Sequence, residues 1–417
     1  MKECNVVGNA IVGQSGGPTA AINATLAGVI RGVRDEKCIS TLYGAFHGME
    51  GMLSHKICNL SAQFPDEASL KILEQTPAAA LGSCRMRLPQ PEDDPTVYES
   101  LFSYFKELNI RYFFYIGGND SMDTVDKLTT YAEKTDYTIR IMGVPKTIDN
   151  DVIGTDHTPG YGSAAKFIAT SMLEILRDCA VYTTKAVTIV EIMGRDAGWL
   201  TAAAALPRKI CGTAPDLVYV PERPFDYSLF FRDVRSALER HPNVVVAVSE
   251  GIRFADGRYV GESAQNGVKD VFGHQYLAGT GKALELAVKN EIGCKVRSIE
   301  LNLLQRCASH CASRTDLDEA VSIGREAVRC AAAGASGKMM CFRRESSSPY
   351  TVSSFCKDIS SIANRVRTLP DEFIHPDANH ITDACLDYLF PLIQGECQTI
   401  CQNGLPVHCI LSRPAHT

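Results

Sequence analysis

Nowhere does the chain hold the roughly 18 to 20 uninterrupted apolar residues that crossing a bilayer requires. Its apolar runs, AVTIVEIMG and NVVVAVSEG among them, are short and closed by polar residues, which predicts no membrane span and no membrane partner. A surplus of basic charge is absent as well. The 42 Lys and Arg against 48 Asp and Glu leave a formal charge of -6 and a pI near 6.0. Neither nucleic acid nor an anionic surface is expected as a partner, although a local basic pocket for phosphates is compatible with that balance. No internal repeat, low-complexity tract or long proline-rich linker interrupts the chain. The opening MKECNVVGNAIVGQSGGP has one early lysine followed by an acidic residue, and its short apolar run leads into a glycine turn, not a small-residue cleavage site. It reads as a first strand and not a signal peptide, and the expected location is cytoplasmic.

Cysteine is the one residue present in excess, with 16 in the chain. They are scattered, and several, such as Cys38, Cys58, Cys179 and Cys211, stand beside apolar residues, so reduced and mostly buried thiols are expected. Two clusters have spacing that places side chains on one helical face: Cys307, His310 and Cys311 in CASHC, and Cys397 with Cys401 in CQTIC. No second CxxC or HxxxH completes a tetrahedral set, so no zinc site is predicted.

A chain of 417 residues exceeds one ordinary hydrophobic core, and two domains follow. Short apolar runs alternate with longer segments of helical period, the pattern of a parallel sheet covered by helices on both faces. Strands are expected at 9–12, 112–116, 139–144, 187–192 and 244–248, with helices over 19–33, 95–108, 122–134, 163–178 and 198–205. Each strand runs into a polar or glycine-rich turn: GQSGGP, GGNDS, PKTIDND, MGRDAG and SEG. In a doubly wound sheet the ligand crevice lies outside the carboxyl ends of the strands, so these five turns should converge on one site.

The residue types in those turns suit phosphate chemistry. Gly16 and Gly17 in GQSGGP would let backbone approach a ligand, and the helix after them would offer its unpaired N–H groups to a phosphate. A simple tight turn explains that segment equally well, since it is neither a P-loop nor the GxGxxG of a dinucleotide site. In GGNDS, Gly118 opens the backbone while Asn119 and Asp120 supply more oxygen-bearing side chains than one helix cap needs. PKTIDND is the richest turn, with Lys146, Thr147, Asp149 and Asp151. A hydroxyl attacking phosphorus must lose its proton, and Asp149 is the candidate base. Lys146, with a Mg²⁺ ion, is suited to neutralise charge on a departing phosphate. Arg195 opens an alanine-rich helix, where a cation opposes the helix dipole, and an anionic substrate would account for it; a surface pair with Asp196 is the alternative. Glu250 could accept hydrogen bonds from sugar hydroxyls, and Arg297 and Arg306 could hold a phosphate through their planar donor forks. Each of these last three is open to a purely structural role.

Taken in order, SGGP, LGSCR, GGNDS, PKTIDND, IMGR, SEG and LLQR resemble the phosphofructokinase family, with landmarks over roughly residues 9 to 310. The resemblance implies an α/β fold of two doubly wound domains with mostly parallel sheets and the active site in the cleft between them. It implies Mg²⁺-dependent transfer to the 1-hydroxyl of fructose 6-phosphate by a homodimer or homotetramer whose sites borrow residues from a neighbour. Residues 1–163 with about 305–355 would form the phosphoryl-donor domain, and 164–304 with about 356–417 the sugar-phosphate domain. By the same resemblance Asp149 is the base, and Thr147, Asp149, Met193, Gly194, Arg195 and Glu250 hold the sugar phosphate. Arg297 and Arg306 hold its 6-phosphate. Gly16, Gly17, Arg85, Gly118, Asp120 and Lys146 face the donor, and Asn119 and Asp151 hold the metal.

ATP-using members of that family resemble GGDGS and PGTIDND, whereas this chain has Asp120 and Lys146 at the two differing glycine positions, as the pyrophosphate-using branch does. A carboxylate in the place of the nucleotide α-phosphate repels and obstructs ATP, while the lysine supports the departing phosphate. Pyrophosphate is therefore the expected donor, with ATP or dual donor use, a sugar 7-phosphate acceptor, or a catalytically silent regulatory subunit as the alternatives. Several positions depart from the family pattern: Asn119 replaces a metal-binding aspartate, Leu303 replaces a polar residue at the sugar phosphate, and Lys185 and Ala186 stand near an arginine that some members lend across an interface.

Overall fold

The computed structural model of the protein describes residues 6–261 and 279–412. Eleven strands build its two main sheets. In chain order they are β1 (Gly8–Gln14), β2 (Ile39–Ala45), β3 (Ile57–Asn59), β4 (Ile110–Gly117), β5 (Arg140–Pro145), β6 (Ala186–Ile192), β7 (Leu217–Tyr219), β8 (Asn243–Ser249), β9 (Lys295–Glu300), β10 (Lys338–Ser347) and β11 (Tyr350–Asp358). The larger sheet runs β11-β10-β5-β4-β1-β2-β3 and the smaller β7-β8-β6-β9. All pairings in the smaller sheet are parallel. In the larger one only the outermost pairs, β10 with β11 and β2 with β3, are antiparallel.

Burial on both faces explains why the central strands read as unbroken apolar runs. In β4, Tyr112, Phe114 and Ile116 enter one core cluster while Phe113 and Tyr115 enter the cluster on the opposite face. The same alternation splits β8, where Val244, Val246 and Val248 face one cluster and Val245 and Ala247 the other. Each such side chain removed from water contributes about 1.5–3 kcal/mol, so a sheet covered on both sides selects apolar residues at every position. The five expected strands fall on β1, β4, β5, β6 and β8. The hairpin β10–β11 was not anticipated, because its residues become mostly polar after Phe342 and only its first half is buried.

Helices Ile22–Asp35 and Arg314–Ala332 pack against each other across two facing glycines. A Cβ at Gly28 would lie 2.1 Å from the Val321 carbonyl oxygen, and one at Gly324 would lie 2.2 Å from that of Thr25, so only glycine permits the approach.

A second device fastens the segment after β5. His157 is buried between Asp156 (2.9 Å at Nδ1) and Glu319 (2.6 Å at Nε2). Arg344 on β10 donates twice to the same Asp156 oxygen, at 3.2 and 3.0 Å. Asp316 accepts from Gly160 N (2.8 Å) and Ser163 N (3.0 Å) and so caps helix Tyr161–Cys179 from a distant part of the chain. The Asp151 carbonyl accepts from Arg367 N at 2.7 Å. The turn carrying the richest chemistry is thus held by a long-range contact as well as by local bonds, such as Asp149 N to Thr147 Oγ1 at 3.1 Å and Thr158 N to Asn150 Oδ1 at 3.1 Å.

No described helix is long and apolar enough to cross a membrane. Every cysteine among the described residues is a free thiol, and among those residues no group of three or more His, Cys, Asp or Glu is placed to hold a metal.

Candidate active site

The carboxyl ends of β1, β4, β5, β6 and β8 open into one cavity of about 440 Å³, drawn from both sheets. Its wall takes Gly16 and Gly17 from the first turn, Gly118, Asn119 and Asp120 from the second, Lys146, Thr147, Asp149 and Asp151 from the third, Met193 and Arg195 from the fourth, and Glu250 from the fifth. Arg85 and Arg306 complete the cationic lining. Gly194 stands just behind the wall, with its N–H donated to Glu250 Oε1 at 3.2 Å.

Main-chain bonds between the turns set their spacing. Ser15 N bonds to the Ile116 carbonyl (2.9 Å), Lys146 N to that of Gly117 (2.9 Å) and Glu250 N to that of Ile192 (2.9 Å), so neighbouring strands end in register. Gly16, at φ +75°, adopts the left-handed conformation that favours glycine, and its N–H reaches the Cys84 carbonyl at 3.2 Å. That contact draws the LGSCR loop, and with it Arg85, against the first turn. The first helix begins only at Ile22, so the turn's backbone, and not the helix end, faces the cavity.

The second turn does present a helix end. Helix Asn119–Ala132 begins at an uncapped Gly118, three residues before the expected start, and Gly118 to Ser121 line the cavity. Unpaired N–H groups there make an anion site. Neither Asn119 nor Asp120 is spent as a cap. The Asn119 amide donates to Asp151 Oδ2 at 3.0 Å, and Asp120 Oδ1 receives Arg87 at 2.8 Å.

The third turn carries the strongest electrostatic tension. Lys146 is 1% exposed and its ammonium donates to the Gly17 carbonyl at 2.5 Å. Burial pushes it down to about 7, helped by Arg306 and Arg85 and opposed by Asp149 and Asp151. Burial raises the Asp149 carboxyl, with Lys146 and Arg195 pulling the other way. Asp151 is pushed up to about 7 by burial and by Asp149. Glu250 rises to about 7 for the same first reason, against the Gly194 N–H. A carboxylate raised in this way is a better proton acceptor than one in water. The wall holds four cations (Arg85, Lys146, Arg195, Arg306) and five carboxylates (Asp120, Asp149, Asp151, Asp196, Glu250), so a polyanionic ligand would need further positive charge.

Two observations bear on a metal. Asn119 Oδ1 is buried with no hydrogen-bond partner, and its own amide group is bonded to the Asp151 carboxylate. An orphaned amide oxygen beside a carboxylate is a hard-oxygen donor set that suits Mg²⁺. Arg195 Nε is likewise buried and unpartnered, a donor awaiting an anion.

Arg297 is not part of this wall: it is exposed on β9, the edge strand of the smaller sheet. Leu303, 54% exposed, also stands outside it, and Lys185 is exposed. Conversely, Asn364 and Val366 line the cavity from a polar stretch with no local signal, placed there when Val366 bridges to Val152. Gln305, which accepts from Met193 N at 3.2 Å, and Arg87 were also missed, although each is adjacent to or two residues from an arginine that was singled out.

The match to known proteins covers both sheets. A family model described as phosphofructokinase matches residues 9–331. A pyrophosphate–fructose 6-phosphate 1-phosphotransferase of Halomonas elongata is 42% identical over 95% of this chain and 94% of its own. The protein of the same name from Xanthomonas campestris is 39% identical over 98% and 97%. A crystal structure of a pyrophosphate-dependent phosphofructokinase from Nitrosospira multiformis superposes with a TM-score of 0.88 at 35% identity, covering 98% of each chain.

Proposed function

The chain belongs to the phosphofructokinase family, and on that premise we propose that it transfers a phosphoryl group reversibly between pyrophosphate and the 1-hydroxyl of fructose 6-phosphate, giving fructose 1,6-bisphosphate and phosphate. The observation that carries this reading is the presence of Asp120 and Lys146 in one cavity with Asp149. On this reading the carboxylate obstructs a nucleotide, and the buried ammonium serves the donor.

Each residue has a task in the transfer. Asp149 takes the proton of the attacking hydroxyl. Thr147, Met193, Gly194, Arg195 and Glu250 orient the sugar phosphate, and Arg306 holds its 6-phosphate. Lys146 and Arg85, with backbone N–H groups at Gly16, Gly17 and Gly118, bind pyrophosphate and neutralise the phosphate that leaves. Bringing the donor beside Lys146 favours the ammonium that burial disfavours, so the site gains positive charge as it loads. Asn119 and Asp151 are the residues that would hold Mg²⁺. When bound, the ion supplies the positive charge that the four cations and five carboxylates of the wall lack.

The larger sheet, residues 1–163 with about 305–355, is assigned to the donor and the remainder to the sugar phosphate. Arg297, outside the wall of its own chain, is assigned to the site of a second copy in a homodimer or homotetramer. The location assigned is the cytoplasm.

Initial rates with fructose 6-phosphate and Mg²⁺, comparing pyrophosphate with ATP, test the reading. Turnover with pyrophosphate and not ATP is expected. Turnover with ATP alone would overturn the donor assignment, and silence with both would move the assignment to another sugar phosphate or to a regulatory role.

A further inference from the structure

The carboxylate that bars a nucleotide is also an anion facing pyrophosphate. Asp120 repels both ligands by the same law, so excluding one with it weakens binding of the other unless the charge is offset. The structure contains such an offset. Arg87 donates to Asp120 Oδ1 at 2.8 Å, and the two side chains are 50% and 43% exposed.

Arg87 is placed there by its surroundings. The next residue, Leu88, is buried, and its carbonyl accepts from Lys127 Nζ at 2.9 Å. Lys127 belongs to the same helix, Asn119–Ala132, whose first turn carries Asp120. On the other side of the loop, Tyr98 donates its hydroxyl to the Pro89 carbonyl at 2.6 Å. The loop is therefore strapped both to the helix bearing Asp120 and, through Cys84 and Gly16, to the donor turn. An ion pair this exposed contributes little to stability, and of its two members the carboxylate lines the cavity.

We propose that Arg87 is a positioning and specificity-determining residue for the phosphoryl donor. It holds the Asp120 carboxylate across the nucleotide's path and cancels that carboxylate's charge toward pyrophosphate. Asp120 with Arg87 then acts as a neutral obstruction, which a small donor passes beside and a nucleotide cannot displace. This rests on the reading of pyrophosphate as donor.

Steady-state kinetics of Arg87→Ala, Arg87→Lys and Asp120→Asn, and of Arg87→Ala combined with Asp120→Asn, test it as a cycle. Arg87→Ala should raise KM for pyrophosphate about three- to tenfold, the effect of uncovering one half-exposed charge before a polyanion. Its kcat, KM for fructose 6-phosphate and melting temperature should stay close to those of the parent. Arg87→Lys, a point charge without the fork, should fall between the two. In the Asp120→Asn background, Arg87→Ala should change KM for pyrophosphate by less than about twofold, because no charge is left to uncover. An unchanged KM in Arg87→Ala, or an equal increase in both backgrounds, would overturn the proposal. A parent enzyme that turns over with ATP and not pyrophosphate would instead overturn the functional reading, and this one with it.

Discussion

Replacing Lys146 with methionine should make the ligand-free protein more stable while abolishing its use of pyrophosphate. The lysine is buried, and its ammonium is pushed down from 10.5 to about 7. A base whose folded value is depressed carries its proton only in the unfolded chain between those two pH values. Folding there expels a proton, so stability rises with pH across that window. Integrated, the lysine costs the folded state about 4 kcal/mol at pH 7 and about 1 kcal/mol at pH 9.5. Methionine removes that cost and loses the bond to the Gly17 carbonyl, worth about 1 kcal/mol. The net expectation is a gain of about 3 kcal/mol at pH 7 and almost none at pH 9.5. Melting temperatures of parent and Lys146→Met without ligand, at both pH values, measure this directly. Pyrophosphate with Mg²⁺ should then raise the melting temperature of the parent and not of the variant. A variant that melts lower than the parent at pH 7, or a difference independent of pH, would refute the reasoning that burying Lys146 costs the ligand-free protein stability.

Three further outcomes follow from the same geometry. Asp149→Asn should lower kcat by about 10²–10⁴ without lowering the melting temperature, since burial already raises that carboxyl; near-parental kcat would remove Asp149 as the base. Asn119→Leu replaces the orphaned oxygen with methyls and should raise the Mg²⁺ concentration for half-maximal rate at least about tenfold, and an unaltered metal titration would place the ion elsewhere. For His157, burial lowers the imidazole's affinity for its proton, but Glu319 and Asp156 outweigh it and raise the group from 6.5 to about 9. Its contribution, about 3 kcal/mol, is fully present below pH 6.5 and is lost as pH rises through about 9. His157→Gln should therefore destabilise the protein at pH 6 and hardly at all at pH 10, and an equal effect at both would contradict the ion pairs. The slopes of Lys146 and His157 oppose each other, so each is read as a difference between parent and variant.

Much of the site was legible before any coordinate. A strand covered on both faces must be apolar throughout, and its end must be polar where it leaves the sheet, so GGNDS after RYFFYI and PKTIDND after IMGV stood out by contrast alone. Glycines where backbone must meet a phosphate, and a carboxylate and lysine in one turn, carry chemistry independent of their neighbours. These local properties determined the sheet's central strands, the five turns and the candidate base, whereas the donor-distinguishing pair was legible only through the resemblance to the family. The tertiary structure decided which side chains meet across long separations. Asn119 turns to Asp151, Asp120 is matched by Arg87, Asn364 and Val366 close the cavity from the far end of the chain, and Arg297 is left on an exposed edge. The reason is the order of the two sheets, β11-β10-β5-β4-β1-β2-β3 and β7-β8-β6-β9. Periodicity encodes how each strand and helix buries its own face, whereas neighbours in that order are set by the packing of all faces at once, which no short stretch of sequence records.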